Sequence, residues 1–492
     1  MKVLLRTTIL LYIFLFPYRV SAIDDLADNA ERLYSVNEVR EDFSYLYETL
    51  QISSYDLFLN TKKPEYDSAF REVLDSISGP VSLLEVSRLF QPFVILAGFS
   101  HCALEFPSEP YRQFYQNGGH WFPFEIIFQG DKVLIAANWS ENENIEPGDE
   151  ILTVDGIDIQ QLIAQIFLVT QGENEYAKQA LMETGSLMDR WWYVFGDFRS
   201  GTIGIRKHGG QRQDFQIEGI DLAQWRQKSP TVQSPDFIKE GRAFKFIGDV
   251  GYLRPGIFLN KESQDITTQK TFDNGEFLDF IESVFTRIAG RGVHRLIIDI
   301  RGNNGGDNSF SDPMIAYFAN QPFRIASKFS VRTSEVTKSF WKDVDIAKLQ
   351  ELKRLILSHE NGARFDIDLG ETMPRNDELS FTGKVVVLID RFSFSNAAVV
   401  AAIVQDYGFG TLVGEETSYT PSSCAAIHQF NLPNTNISAV YPKACSIRPN
   451  GDKSIRGVVA DHVISDNLFT EEDEILTAAL KLIEKTDSTI VQ

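Results

Sequence analysis

Two apolar runs, HRLIIDI at 294–300 and KVVVLID at 384–390, constrain this chain more than any other feature. Neither alternates polar with apolar residues. Each therefore reads as a strand buried on both faces, not as one half-exposed. Such strands need cover on both sides, and helices supply it. Phe277, Phe280, Ile281, Val284, Phe285 and Ile288 form one face of a predicted helix before the first run, and NAAVVAAIVQDYG opens another after the second. Strand and helix in alternation define an α/β layer around a largely parallel sheet.

Each run breaks into a turn of unusual composition. RGNNGGDN follows the first. Gly302, Gly305 and Gly306 allow close approach to a ligand and can aim N–H groups at negative charge. The loop is neither a Walker A segment nor a G-x-G-x-x-G fingerprint; its plain alternative is a tight turn at a strand end. RFSFSNAAVV follows the second run. Ser395 stands at the mouth of the predicted helix, where backbone N–H groups are unpaired and the dipole is positive. A serine there is either an N-cap or a nucleophile with an oxyanion site beside it. The glycines of a G-x-S-x-G elbow are missing.

The rest of the chain divides by texture. Residues 1–22 begin with Lys2 and Arg6, continue through a short apolar run and end VSA, the pattern of a secretory leader too short to span a bilayer. Residues 23–108 read as helical: Ser35/Glu38 and Ser82/Glu85 are capping-box pairs ahead of helically spaced apolar residues. This segment ends in GFSHCALEF, whose His101 is a structural residue unless a nucleophile elsewhere needs a base. Residues 109–236 alternate and turn like hairpins, including a tight Asp-Gly turn, and form a β-rich module with one or two helices. Residues 237–492 carry the α/β layer, ending in a hairpin that turns near Pro433 and Asn434. The 37 phenylalanines require sizeable buried cores. A net charge of −21 disfavours nucleic acid and anionic membranes as partners, and no later stretch is apolar enough to span a bilayer. No metal-binding spacing occurs among the three cysteines and seven histidines, so neither metal nor cofactor is expected. Cys424 and Cys445 flank the hairpin almost symmetrically, as a disulfide pair or as reduced thiols, with Cys102 left over.

Together these segments resemble peptidase family S41, the C-terminal processing and tail-specific proteases, with the tricorn core and interphotoreceptor retinoid-binding protein as relatives. DIRGNNGGDN is similar to the family's D-x-R-x-N-x-G-G signature, DRFSFSNAAVVAAIVQDYGFGTLVGEET to its nucleophile region, and GVVADHVI to its closing G-V-x-P-D segment, with Ala460 in place of proline. PGDEILTVDGIDI resembles its PDZ-like module. The resemblance implies a multi-domain α/β protein: an N-terminal helical segment, a PDZ-like module and a ClpP/crotonase-like catalytic domain with a mostly parallel sheet. It puts the nucleophile on Ser395, not Ser393. The lysine of tail-specific members is replaced by Thr420, so a Ser-Lys dyad is not available. The tricorn-like branch uses histidine preceded by serine, which Ser100-His101 supplies. In that pattern His101 is the base, Ser100 orients it, and the Gly305, Gly306 and Asn396 N–H groups hold the oxyanion. The acid has three candidates, Glu415, Glu416 and Asp452, while Asp406 matches a position of structural support.

The expected function is an exported serine endopeptidase, periplasmic or extracellular, cleaving unfolded or C-terminal polypeptide segments through an acyl-enzyme. The alternative is a non-catalytic carrier of peptides or apolar ligands on the same scaffold. A third reading, an esterase or lactonase, needs the same serine.

Overall fold

The computed structural model describes residues 32–185, 187–262, 273–343 and 350–485. The leader at 1–22 lies outside the described residues. The central sheet has six strands in the order Ala243–Ile247, Val250–Arg254, Arg295–Asp299, Lys384–Ile389, Thr411–Gly414 and His462–Val463. The first pair is antiparallel and the other four pairings are parallel. Both faces are covered, as the continuous apolar runs require. Leu296, Ile298, Val385, Val387 and Ile389 pack with helices Gly275–Arg291, Asn308–Ala316 and Asn396–Tyr407. Ile297, Val386 and Leu388 point the other way, onto Ile475, Ala479 and Ile483 of helix Glu474–Lys485. Arg295–Asp299 and Lys384–Ile389 are adjacent and parallel, in register from Arg295↔Lys384 to Asp299↔Leu388. The two unusual turns therefore leave the same end of the sheet side by side, where ligands bind in open α/β folds.

A second, antiparallel sheet runs Arg364–Asp366, Lys328–Arg332, Ser438–Ile447, Cys424–Asn431. Its hairpin is the one read from the sequence. Helices Glu335–Asp343 and Gln350–Ser358, which the apolar pattern did not announce, cover it with Trp341, Leu352 and Ile356. Cys424 lies directly opposite Cys445 across the hairpin, and their sulfurs are bonded. The two-residue strand Ala103–Leu104 joins this sheet, pairing with Val440 and Ala439. A strand from the helical front thus belongs to the same sheet as the C-terminal hairpin.

The front helices are Val36–Ser53, Lys63–Ser76 and Leu83–Ile95. Both capping boxes form: Glu38 returns to the Ser35 N–H at 2.8 Å and Glu85 to the Ser82 N–H at 2.7 Å. Their aromatic core, including Phe43, Tyr66, Phe90 and Phe93, is continuous with Phe430, Ala439 and Tyr441 of the hairpin. Buried Asp42 fastens the hairpin's tip, accepting from the N–H groups of Asn434 at 2.8 Å and Thr435 at 2.9 Å and from the Thr435 hydroxyl at 2.6 Å. Residues 124–218 form a separate antiparallel sheet in the order Phe124–Gln129, Lys132–Asn138, Glu150–Val154, Ser200–Arg206, Arg212–Glu218. Asp155 and Gly156, at φ 51° and 77°, make its tightest turn. Among the described residues no helix is long and apolar enough to cross a membrane.

Asp406 closes the nucleophile-region helix onto the second sheet. It holds Arg448 at 2.6 Å and Asn450 at 2.9 Å, with both charged side chains nearly sealed from water. Removing one partner of such a pair strands the other charge. Asp406→Ala should cost about 3 kcal/mol of stability in urea unfolding, whereas a cost within experimental error would show the pair to be structurally idle.

Candidate active site

The turn after Lys384–Ile389 separates its two serines by what their hydroxyls do. Ser393 Oγ donates to Ile300 O at 2.8 Å and accepts from the Asp390 N–H at 3.1 Å, so it ties the ends of the two central strands together. Ser395 Oγ has no such task. The residue precedes helix Asn396–Tyr407 at φ 50°, ψ −120°, and its side chain caps nothing. The N-cap alternative therefore fails at Ser395. A non-glycine residue held at this φ is strained, and such strain concentrates at functional sites. Asp390 supports the turn by accepting from the N–H groups of Gly302 and Phe392, both at 3.0 Å. Burial pushes its carboxyl up to about 7.

The glycine loop is stitched to this turn by Asn303. Its O accepts the Phe394 N–H at 2.9 Å, and its Nδ2 donates to Gly256 O at 2.7 Å. Its Oδ1 accepts the Gly305 N–H at 2.8 Å. This last contact corrects the sequence-based expectation for Gly305: its N–H is already committed and is not an oxyanion donor. Gly305 matters by having no side chain. At φ 94°, an added Cβ would lie 2.8 Å from Ser395 Cβ and 2.8 Å from Asn396 N. Among the described residues the Gly306 and Asn396 N–H groups donate to no protein acceptor. Asn396 Nδ2 instead anchors to Ser311 Oγ at 2.9 Å. Behind the loop, Arg301 forks onto Asp299 at 2.9 and 3.0 Å and onto Asp473 at 2.8 Å, fixing it from below.

His101 reaches this turn. Its ring lies 5.7 Å from that of Phe394, the residue before Ser395, and 5.5 Å from that of Tyr419. Phe394 and Tyr419 are themselves 5.0 Å apart, so the imidazole sits in a three-ring cluster. Its Nε2 is enclosed and has no hydrogen-bond partner, and desolvation lowers the imidazole to about 4. No hydrogen bond joins Nε2 to Ser395 Oγ here; the two groups share a neighbour, not a proton. Such bonds are often loose in unliganded enzymes.

The three candidate acids do not meet the imidazole. Glu415 pairs with Arg391 at 3.4 Å, and Glu416 with Arg456 at 2.6 Å and the Gly457 N–H at 3.0 Å. Asp452 serves its own exposed loop, accepting from the Ser454 N–H at 2.9 Å and hydroxyl at 2.8 Å. The acid bonded to the segment bearing His101 is Glu173, which the sequence did not single out. It accepts the Ser100 N–H at 3.0 Å, the Ser100 hydroxyl, and the Ser423 hydroxyl at 2.8 Å. Ser100 therefore holds the segment bearing His101 against Glu173, not the imidazole itself. Glu173 comes from a loop after helix Ile159–Phe167 of the β-rich module, and no motif marks it. Thr420 is buried. The buried lysine on the neighbouring strand, Lys443, donates to the O atoms of Ala426 at 2.9 Å and Ile427 at 3.2 Å. Among the described residues no cluster of histidine, cysteine and carboxylate side chains could hold a metal ion.

Comparison with known proteins agrees with this architecture. Residues 257–464 match the model of peptidase family S41, a stretch that contains the glycine loop, the nucleophile turn and the hairpin. This segment carries a peptidase family S41 domain. Among solved structures, mature CPAF complexed with lactacystin is similar at 16% identity and a TM-score of 0.62, over 92% of this chain and 97% of that one. Mature CPAF alone gives 16% and 0.60, over 92% and 96%. At these identities the likeness concerns the fold. No curated protein sequence matches the chain.

The strained turn makes a separate prediction. Glycine tolerates Ser395's φ and alanine does not, so Ser395→Gly should be about 1 kcal/mol more stable than Ser395→Ala. Equal unfolding midpoints would show that the turn is unstrained.

Proposed function

We propose that the protein is an exported serine endopeptidase that cleaves unfolded or C-terminal polypeptide segments through a Ser395 acyl-enzyme. The observation that carries this reading is the division of labour in one turn: Ser393's hydroxyl is consumed by the scaffold, while Ser395's is presented uncapped at a strained helix mouth. In the proposed reaction His101 Nε2 takes the Ser395 proton as Oγ bonds to the scissile carbonyl carbon. The Gly306 and Asn396 N–H groups stabilise the oxyanion. The C–N bond breaks as the imidazolium returns the proton to the leaving nitrogen, and water then releases the acyl group with His101 again as base. The reaction requires Nε2, which has no hydrogen-bond partner in the free structure, to come within reach of Oγ as substrate enters.

The β-rich module is proposed to be PDZ-like, receiving an extended chain end on an open strand edge. Phe124–Gln129 and Arg212–Glu218 are its edge strands. The former is coupled to the site: Arg391 donates to Phe128 O at 3.0 Å and pairs with buried Glu183 at 3.2 Å. Burial raises the Glu183 carboxyl to about 7. The leader-like sequence at 1–22 supports export to a periplasmic or extracellular compartment. The carrier reading is not favoured, because a scaffold that only binds has no use for an uncapped serine on a strained turn.

Cleavage of an unstructured polypeptide by the full chain, and its loss by at least a thousandfold in Ser395→Ala, tests this directly; equal activity in the variant would end it. The pH profile gives an independent check. An imidazole lowered to about 4 stays neutral, and competent as a base, throughout the weakly acidic range. The acid limb of kcat/KM should therefore fall below the usual histidine value of about 6.5. A limb at that ordinary value would show a solvated base in the free enzyme.

A further inference from the structure

A cavity of about 390 Å³ opens beside the site, where front helices, module and hairpin meet. One wall is Tyr55, Leu59 and Phe99 from the front; the other is the bonded Cys424–Cys445 pair with Ile447 and Ile455. It is tied to the candidate active site through chain neighbours in its lining. Phe99 lies two residues before His101, and Thr420, also in the lining, follows the Tyr419 whose ring touches the imidazole. We propose that this cavity is the subsite that receives a large apolar side chain, such as leucine or phenylalanine, of the polypeptide substrate. The inference rests on the peptidase reading and adds the substrate class.

Two further observations support an apolar occupant. Leu59 and Ile455 are 51% and 55% exposed, and both of these unusually exposed apolar residues flank the same opening from different parts of the chain. The one carboxylate in the lining, Glu173, is already turned to neutral donors of the fold. It already accepts two Ser100 donors and the Ser423 hydroxyl. Lys328 and Lys453 stand in the lining as well and disfavour a lysine or arginine further. Asn60 and the hydroxyls of Ser330, Thr420, Ser422, Ser423 and Ser446 also line the cavity, but most of its exposed surface is apolar, with a disulfide in its wall, and suits a side chain that gains by leaving water.

The test uses the full chain carrying Ser395→Ala and a set of peptides differing at one position, with leucine, phenylalanine, aspartate or lysine there. Binding is read by fluorescence anisotropy. The proposal expects leucine and phenylalanine peptides to bind at least tenfold more tightly than the aspartate and lysine peptides. That preference should collapse when Leu59→Asp or Ile455→Asp is added. It should persist when Met373→Asp is added, at a residue that is 57% exposed and outside the cavity. Equal binding of all four peptides, or a preference that survives both rim substitutions, overturns the subsite. The rim residues are exposed, so misfolding is not the expected cause of a loss, and unchanged melting of the variants checks this. Cleavage by the unsubstituted chain judges the peptidase reading separately. Selective binding without cleavage leaves the subsite standing and removes the catalytic reading; cleavage without selectivity does the reverse.

Discussion

A two-residue antiparallel pairing, Ala103–Leu104 against Ala439–Val440, ties the segment bearing His101, the proposed base, to the hairpin. The turn bearing Ser395 is built on the central sheet, but His101 arrives from the front of the chain. So short a strand has little stability of its own. It is held by what surrounds it: the shared aromatic core of front helices and hairpin, and buried Asp42 fastened to the hairpin tip. The Leu104 N–H also donates to buried Gln91 of the third front helix at 2.8 Å. These contacts hold the segment bearing His101, whereas Ser395 is held by the central sheet.

The same arrangement explains why three parts of the chain converge on one point. Glu173 brings a module loop to Ser100 and Ser423 at once, so the module, the front and the hairpin share one carboxylate. Arg391 links the module's edge strand to the turn bearing Ser395. The imidazole and the serine are thus positioned by separate elements with separate ties to the module.

Much of this was legible in the sequence because it rests on local rules. Continuous apolar runs gave two buried strands, paired side by side, and their turns gave the glycine loop and Ser395. The capping pairs Ser35/Glu38 and Ser82/Glu85 marked two helix starts to the residue. What escaped depends on long-range contact or on a competing side chain. The Gly305 N–H was misassigned because Asn303, two residues earlier, captures it through its own amide, a habit of asparagine in turns. Glu173 carries no signal, since its role is defined only by partners far away in the chain. Glu415, Glu416 and Asp452 were plausible by proximity in sequence, yet each is occupied by a nearer donor. Helices Glu335–Asp343 and Gln350–Ser358 are short and charged on their outer faces, and only the sheet beneath reveals their inner ones.

The central claim is that the fold joins His101 and Ser395 into one reacting unit. Its most direct measurement is the rate of covalent labelling by a fluorophosphonate, read by intact-mass spectrometry with the modified residue located by digestion. The account predicts a single adduct on Ser395, formed at least a hundredfold more slowly in His101→Ala. An unlabelled Ser395, or the same labelling rate without the imidazole, would contradict it.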